Sequence, residues 1–265
     1  MCIIVIIHFT ANTDVVSPNG PPSWVSDWDH VSWAHMIGHP HSIFKAAGKS
    51  APKLKFSQDR KLLIINGLQL DSIQKTSRVF YPSDFQVDEP SSVIVADLWR
   101  NICENVSFNA AKDYVSGGSA IAAFLDTLTV CRERTTYGQD HKTSLANGLS
   151  YIVRALRDYS KVDISEELRA LANDGDYYHW IRSVSSAYTR KFGSTSYGYY
   201  ILGPKLMKKG DIVAVFFGGK TPFCLRKQGS QYLLIGECYV HGLMDGEAMD
   251  LMEHREVSEK TFNIQ

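Results

Sequence analysis

The chain of 265 residues carries no net charge, because 28 lysines and arginines balance 28 aspartates and glutamates. No overall field therefore draws it to nucleic acid or to an anionic membrane. Its one compact basic group, Lys205, Lys208 and Lys209, precedes a strand-like run and reads as a solvated turn. Cysteine is sparse and unpatterned. Cys2, Cys103, Cys131, Cys224 and Cys238 are scattered and odd in number, with no Cys-x-x-Cys. That excludes a disulfide framework and a zinc ribbon, and suits a reducing compartment. Long hydrophobic runs are absent too. Residues 1–7 are apolar but too short to span a bilayer, and they lack the basic flank and cleavage site of a signal peptide. The expectation is a cytoplasmic protein with no membrane partner.

Cofactor motifs are also lacking. Gly117-Gly118-Ser119 leads into a helical pattern without the lysine or the glycine spacing of a P-loop, so it reads as a plain helix start. No cofactor is expected. Four histidines, His30, His35, His39 and His41, crowd one stretch, but Gly38 and Pro40 break any helix that would align His35 with His39. A histidine-rich surface loop is the reading, and no metal.

What is present is an ordinary globular composition, 44% hydrophobic and 21% charged. A chain this long buries roughly 70–75% of its unfolded surface, enough for one large domain. Trp24, Trp28 and Trp33 recur close together and read as core or a lid over it, with an aromatic wall for a ligand as the functional alternative. Around Gln58-Asp59-Arg60 two extended runs predict a hairpin, its second strand buried on both faces, with Gly67 marking a bulge or bend. Helical periodicity then dominates: residues 93–104, 120–132, 145–159, 165–173 (with Ser165 as N-cap) and 177–190. From Gly193 glycine turns separate short strands at 211–217, 223–227 and 232–240, predicting an antiparallel meander that closes a small barrel. The fold class is α+β. Residues 1–90 carry the loop, tryptophans and hairpin, 91–192 the helices and 193–265 the barrel, all in one compact unit.

The most informative stretch is Gly236-Glu237-Cys238-Tyr239-Val240-His241-Gly242-Leu243-Met244-Asp245-Gly246-Glu247. Strict alternation sets Leu233, Ile235, Glu237, Tyr239 and His241 on one face, which changes from aliphatic to acid, phenol and imidazole. Burying unpaired polar groups costs roughly 1–3 kcal/mol each. Either the strand end surfaces into a polar cleft, or these groups bond to one another and to backbone. Glu237 needs a basic partner or a raised pKa, and Arg226 is the partner expected. Asp245 reads as an N-cap for a short helix through Met252, and His241 as a histidine tied to backbone near a turn or as a functional group. Glu237, His241 and Asp245 are the candidate acid–base residues, with Tyr239, Arg226, Trp24 and Trp28 as candidate ligand contacts. Cys238 as a nucleophile is disfavoured, since it alternates to the face opposite His241.

This signature resembles the one near the C-terminus of fungal heterokaryon-incompatibility (HET) proteins. The likeness extends back through Gly210-Asp211-Ile212-Val213, Gly218-Gly219, Pro222-Phe223 and Leu225-Arg226 to Leu202-Gly203-Pro204. It also takes in residues 22–28 and 56–73 and is strongest over residues 190–249. The HET domain itself has no counterpart, so the resemblance implies a C-terminal module standing alone in fungal self/non-self signalling. Such a module binds a small ligand or a protein partner in a cleft beside the signature. The alternative is a cofactor-free cyclase, isomerase or hydrolase of fungal secondary metabolism working through Glu237 and His241.

Overall fold

The computed structural model describes residues 22–25, 36–39, 42–87, 93–105, 107–109, 112–157 and 162–265. Trp28, Trp33, His30, His35 and His41 lie outside them. The hairpin forms as expected: β1 (Leu54–Phe56) runs antiparallel to the first residues of β2 (Leu63–Thr76), Leu54 opposite Ile65. Helices follow: α1 (Ile94–Asn101), α2 (Ala120–Thr129), α3 (Arg132–Thr135), α4 (His141–Ala155), α5 (Glu166–Ala172) and α6 (Tyr177–Val184). A two-stranded parallel pair, β3 (Ser107–Phe108) with β4 (Asp163–Ile164), lies among them. The remaining strands are β5 (Arg190–Thr195), β6 (Tyr200–Pro204), β7 (Ile212–Phe216), β8 (Phe223–Gln228), β9 (Gln231–Glu237), β10 (Tyr239–Val240) and β11 (Glu259–Ile264), with α7 (Glu247–Glu253) before the last.

Strands β7, β8 and β9 form the expected meander, and β2 and β11 close it into a ring: β2 pairs β11, β11 pairs β9, and β7 returns to β2. The barrel thus takes its longest strand from the hairpin. β2 serves two sheets because a register shift between Ile73 and Lys75 turns its end onto β5, which continues through β6 to β10. Alternate residues of all five barrel strands, among them Ile65, Phe216, Leu225, Leu234 and Phe262, fill the barrel interior. Phe216 stacks on Phe223 at 5.1 Å and meets Phe262 edge-on at 5.7 Å. Gly67 is needed for a close approach: a Cβ there would come within 2.8 Å of the Phe216 Cα and nearer still to the Val215 carbonyl oxygen.

The helices build a second core against β5 and β6. Trp99 stacks on Phe108 at 4.8 Å and touches Phe124 at 5.2 Å, and Phe124 meets Phe192 of β5 at 5.4 Å. All ten residues of α2 are buried, so the stripe read from its sequence is a helix enclosed all round. It ends where Val130 and Cys131 both adopt the left-handed conformation, φ 55° and 54°. Ser165 caps α5 as expected, accepting from the Leu168 N–H. The helix read over 177–190 stops at Val184, and Arg190 opens β5 instead.

Candidate functional site

The signature does not alternate as its sequence pattern reads. Cys224 pairs Gly236 while Leu225 pairs Leu234, which leaves Ile235 as a bulge, and Gly236 takes φ 147°. Past the bulge the faces exchange: Leu233 and Ile235 share a cluster with Cys238 and Val240, whereas Tyr239 enters the helical core. Glu237 is 3% exposed. Its carboxylate accepts from the Ile37 N–H at 2.6 Å, the Gly38 N–H at 2.9 Å and the Arg190 guanidinium at 3.1 Å, and Arg190 also donates to the Glu237 carbonyl at 3.2 Å.

The expected Arg226–Glu237 pair does not form. On β8 Arg226 faces Leu233, whereas Phe223 faces Glu237, a separation along the strand of about 10 Å. Arg226 instead holds the buried Asp211 in a fork, with Nε on Oδ1 at 2.8 Å and Nη2 on Oδ2 at 2.9 Å, and donates to the Leu206 carbonyl. Asp245 is exposed and caps nothing. Gly246 is the N-cap of α7, and the Glu247 carboxylate accepts the Asp245 N–H at 2.7 Å. Trp24 packs on Phe56, ring centroids 5.2 Å apart, at the end of the barrel core.

His241 follows β10 and is tied to backbone, its N–H donating to Tyr200 and its carbonyl accepting from the Tyr114 hydroxyl. Its Nδ1 lies 3.1 Å from the Tyr239 hydroxyl, which lies 2.9 Å from the Cys131 Sγ. Arg134 reaches in to bond Asp126 Oδ2 at 2.7 Å and Cys131 Sγ at 3.2 Å. Asp126, Cys131 and His241 present one oxygen, one sulfur and one nitrogen within 4.8 Å of one another. Burial, with Arg134 and His141 adding to it, pushes the imidazole down to about 4. Burial, with Asp126 beside it, pushes the Cys131 thiol up to about 12. Burial also raises the Asp126 carboxyl, against the pull of Arg134. At neutral pH the imidazole is uncharged and the thiol keeps its proton.

Asp126, Cys131, Arg134 and Arg190 escape a reading of the signature alone. The signal for Asp126 was a single acid in an otherwise apolar helix, Ala120 to Leu125, and nothing local marks the other three.

A cavity of about 460 Å³ opens between residues 36–39 and 42–44 on one side and the α2–α3 turn on the other, lined among others by Ile37, Phe44, Val130, Arg132 and Thr136. Neither Glu237 nor His241 lines it. The signature braces its walls from behind: Glu237 grips the Ile37 and Gly38 backbone, and Tyr239 packs edge-on against Phe44 at 5.8 Å. Val130 and Arg132 flank Cys131 in sequence.

Residues 136–258 match the family model of the Het-6 beta-barrel domain. Heterokaryon incompatibility protein 6, OR allele, of Neurospora crassa is 32% identical over 107 residues, which cover 39% of this chain and 15% of that protein. The chain therefore spans a small part of the length of the curated relative it matches. No solved structure matches it. Among the described residues no helix is long and apolar enough to cross a membrane. Over residues 136–258 the chain is thus similar to the Het-6 β-barrel domain, and over 107 residues to a heterokaryon-incompatibility protein.

Proposed function

We propose that this chain is the recognition module of a HET-type protein in fungal self/non-self signalling, and that the cavity beside the α2–α3 turn receives a small ligand or a short segment of a partner protein. The observation that carries this reading is the bracing of that cavity by Glu237 and Tyr239. Two polar side chains of the signature are spent on holding its walls in place, which is how a pre-formed site is kept open. Its volume falls in the range of small-molecule sites, roughly 300–1,000 Å³. The lining combines Ile37, Ile43, Phe44 and Val130 with the guanidinium of Arg132 and the hydroxyls of Thr135 and Thr136. That mixture suits an apolar body carrying one anionic or hydroxylated end. Acid–base chemistry by Glu237 and His241 has less behind it, since each is held by other partners and neither faces the cavity.

The test is affinity mass spectrometry of fungal metabolite extract on the immobilised protein, beside Ile43→Glu and Thr135→Trp, which alter the rim and the volume. Ile43 is 59% exposed, so its replacement leaves folding alone. The reading expects a compound retained by the native protein and lost from both variants at unchanged melting temperature. A compound held equally by all three, or none held at all, sinks it.

A further inference from the structure

We propose that Asp126, Cys131 and His241 form a buried metal site that takes Zn²⁺. Sequence reasoning weighed only the histidines near residue 35 and expected no metal. The fold brings together three other groups instead, two of them 110 residues apart. Asp126 comes from the last turns of α2. The left-handed pair Val130–Cys131 then folds the chain back, so that the Cys131 N–H donates to the Asp126 carbonyl at 2.9 Å and its sulfur lies beside the Asp126 side chain. Left-handed residues without glycine are costly and persist where the surroundings over-determine them, often at functional sites. His241 arrives from the end of β10, and Gly242 at φ 84° turns the chain away behind it.

The donor set is one that zinc accepts: a carboxylate oxygen, a thiolate sulfur and an imidazole nitrogen, with harder cations disfavoured by the sulfur. Tetrahedral bonds of about 2.0–2.3 Å place ligand atoms roughly 3.5 Å apart. Atoms already within 4.8 Å of one another therefore need only a small contraction by side-chain rotation. The two anionic ligands match the charge of the ion, with the Arg134 guanidinium beside them as an outer cation. Binding displaces the thiol proton to solvent, so Zn²⁺ meets one carboxylate, one thiolate and a neutral imidazole. Arg134 Nη2 bonds Oδ2 of Asp126, which leaves Oδ1 to be the ligand, and the same nitrogen reaches the Cys131 Sγ at 3.2 Å. The Tyr239 hydroxyl lies 2.9 Å from the Cys131 Sγ and 3.1 Å from the His241 Nδ1, so it already bridges two of the three ligand residues. Asp126 and Cys131 are buried, which fits a structural rather than an open catalytic metal.

The experiment loads chelator-treated protein with Co²⁺ as a spectroscopic probe and with Zn²⁺ for X-ray absorption. The site predicts one equivalent of cobalt, a thiolate-to-cobalt charge-transfer band with the visible bands of tetrahedral geometry, and loss of that band in Cys131→Ser. It also predicts a higher melting temperature with Zn²⁺, and a zinc shell holding a single sulfur at about 2.3 Å among nitrogen and oxygen ligands. The absorption measurement uses the native protein and so stands even where Cys131→Ser fails to fold. No stoichiometric metal, a zinc shell without sulfur, or a charge-transfer band that survives in a folded Cys131→Ser overturns the proposal.

Discussion

Arg190 and Glu237 form an ion pair at 3.1 Å with side chains 1% and 3% exposed. The pair ties the first residue of β5 to the last of β9, and through the Ile37 and Gly38 N–H groups it ties both to the segment that walls the cavity. Two charges taken out of water are tolerable only when each is matched by partners of good geometry. Here the carboxylate accepts from the Ile37 and Gly38 N–H groups and from Arg190, which also donates to the Glu237 carbonyl.

Removing either partner strands the other. Arg190→Met and Glu237→Gln are each expected to cost about 3–5 kcal/mol, and the double variant clearly less than the sum. Arg226→Ala combined with Glu237→Gln should instead be additive within about 0.3–0.5 kcal/mol, because Arg226 belongs to Asp211. Urea midpoints of the five single and double variants decide the matter. Strong coupling of Glu237 to Arg226 rather than to Arg190 would contradict the arrangement.

Local pattern carried the elements well. Glycine-bounded apolar runs gave β7, β8 and β9, and a serine before Glu166 gave the α5 cap, because turn chemistry and capping are short-range effects. The rest depends on features that sequence does not announce. A single unpaired residue, Ile235, reverses the faces beyond it, and no composition rule announces a bulge where Gly236 reads equally well as a strand end. Arg226 on the neighbouring strand faces Leu233, three residues along from the position opposite Glu237. The true partner, Arg190, reads in sequence as the tail of a helix, but that helix ends at Val184. Helix α2 shows the same limit: Asp126 stands out in its sequence, but only the fold reveals that Cys131 and His241 meet it.

Barrel closure rests on Gly67. Adding a Cβ there drives it against the Phe216 Cα and the Val215 carbonyl, both backbone of β7, so no side-chain rotation relieves the clash. Gly67→Ala is expected to lose several kcal/mol, in the range of severe overpacking, or to yield no folded protein. Gly118→Ala is the matched control. Gly118 sits at φ 77° with nothing within 4 Å, so its substitution should cost only about 1 kcal/mol of backbone strain. Thermal denaturation ranks the two. Equal costs would mean that β2 and β7 do not approach as closely as the pairing of Gly67 with Phe216 requires.

Acid should reveal the contact that fastens the chain ahead of α1. Asp84, in the 3₁₀ turn Pro82–Phe85, accepts both arms of the Arg78 guanidinium at 2.5 and 2.6 Å and the Tyr81 N–H at 2.8 Å. Burial pushes its carboxyl up, but Arg78 and the Tyr81 N–H outweigh burial and hold it below the usual carboxylate range. A depressed folded pKa adds stability above the unfolded value of about 3.9, and that stability is lost as pH falls through the lower folded value. Native protein should therefore exceed Asp84→Asn in urea midpoint at neutral pH, and the gap should narrow as pH drops below about 4. Phe85 packs edge-on against Phe80 and Trp180, so loosening the turn should also redden tryptophan emission over the same interval. A gap that stayed constant down to the acid transition would show that the Asp84 carboxylate is not held by Arg78 in solution.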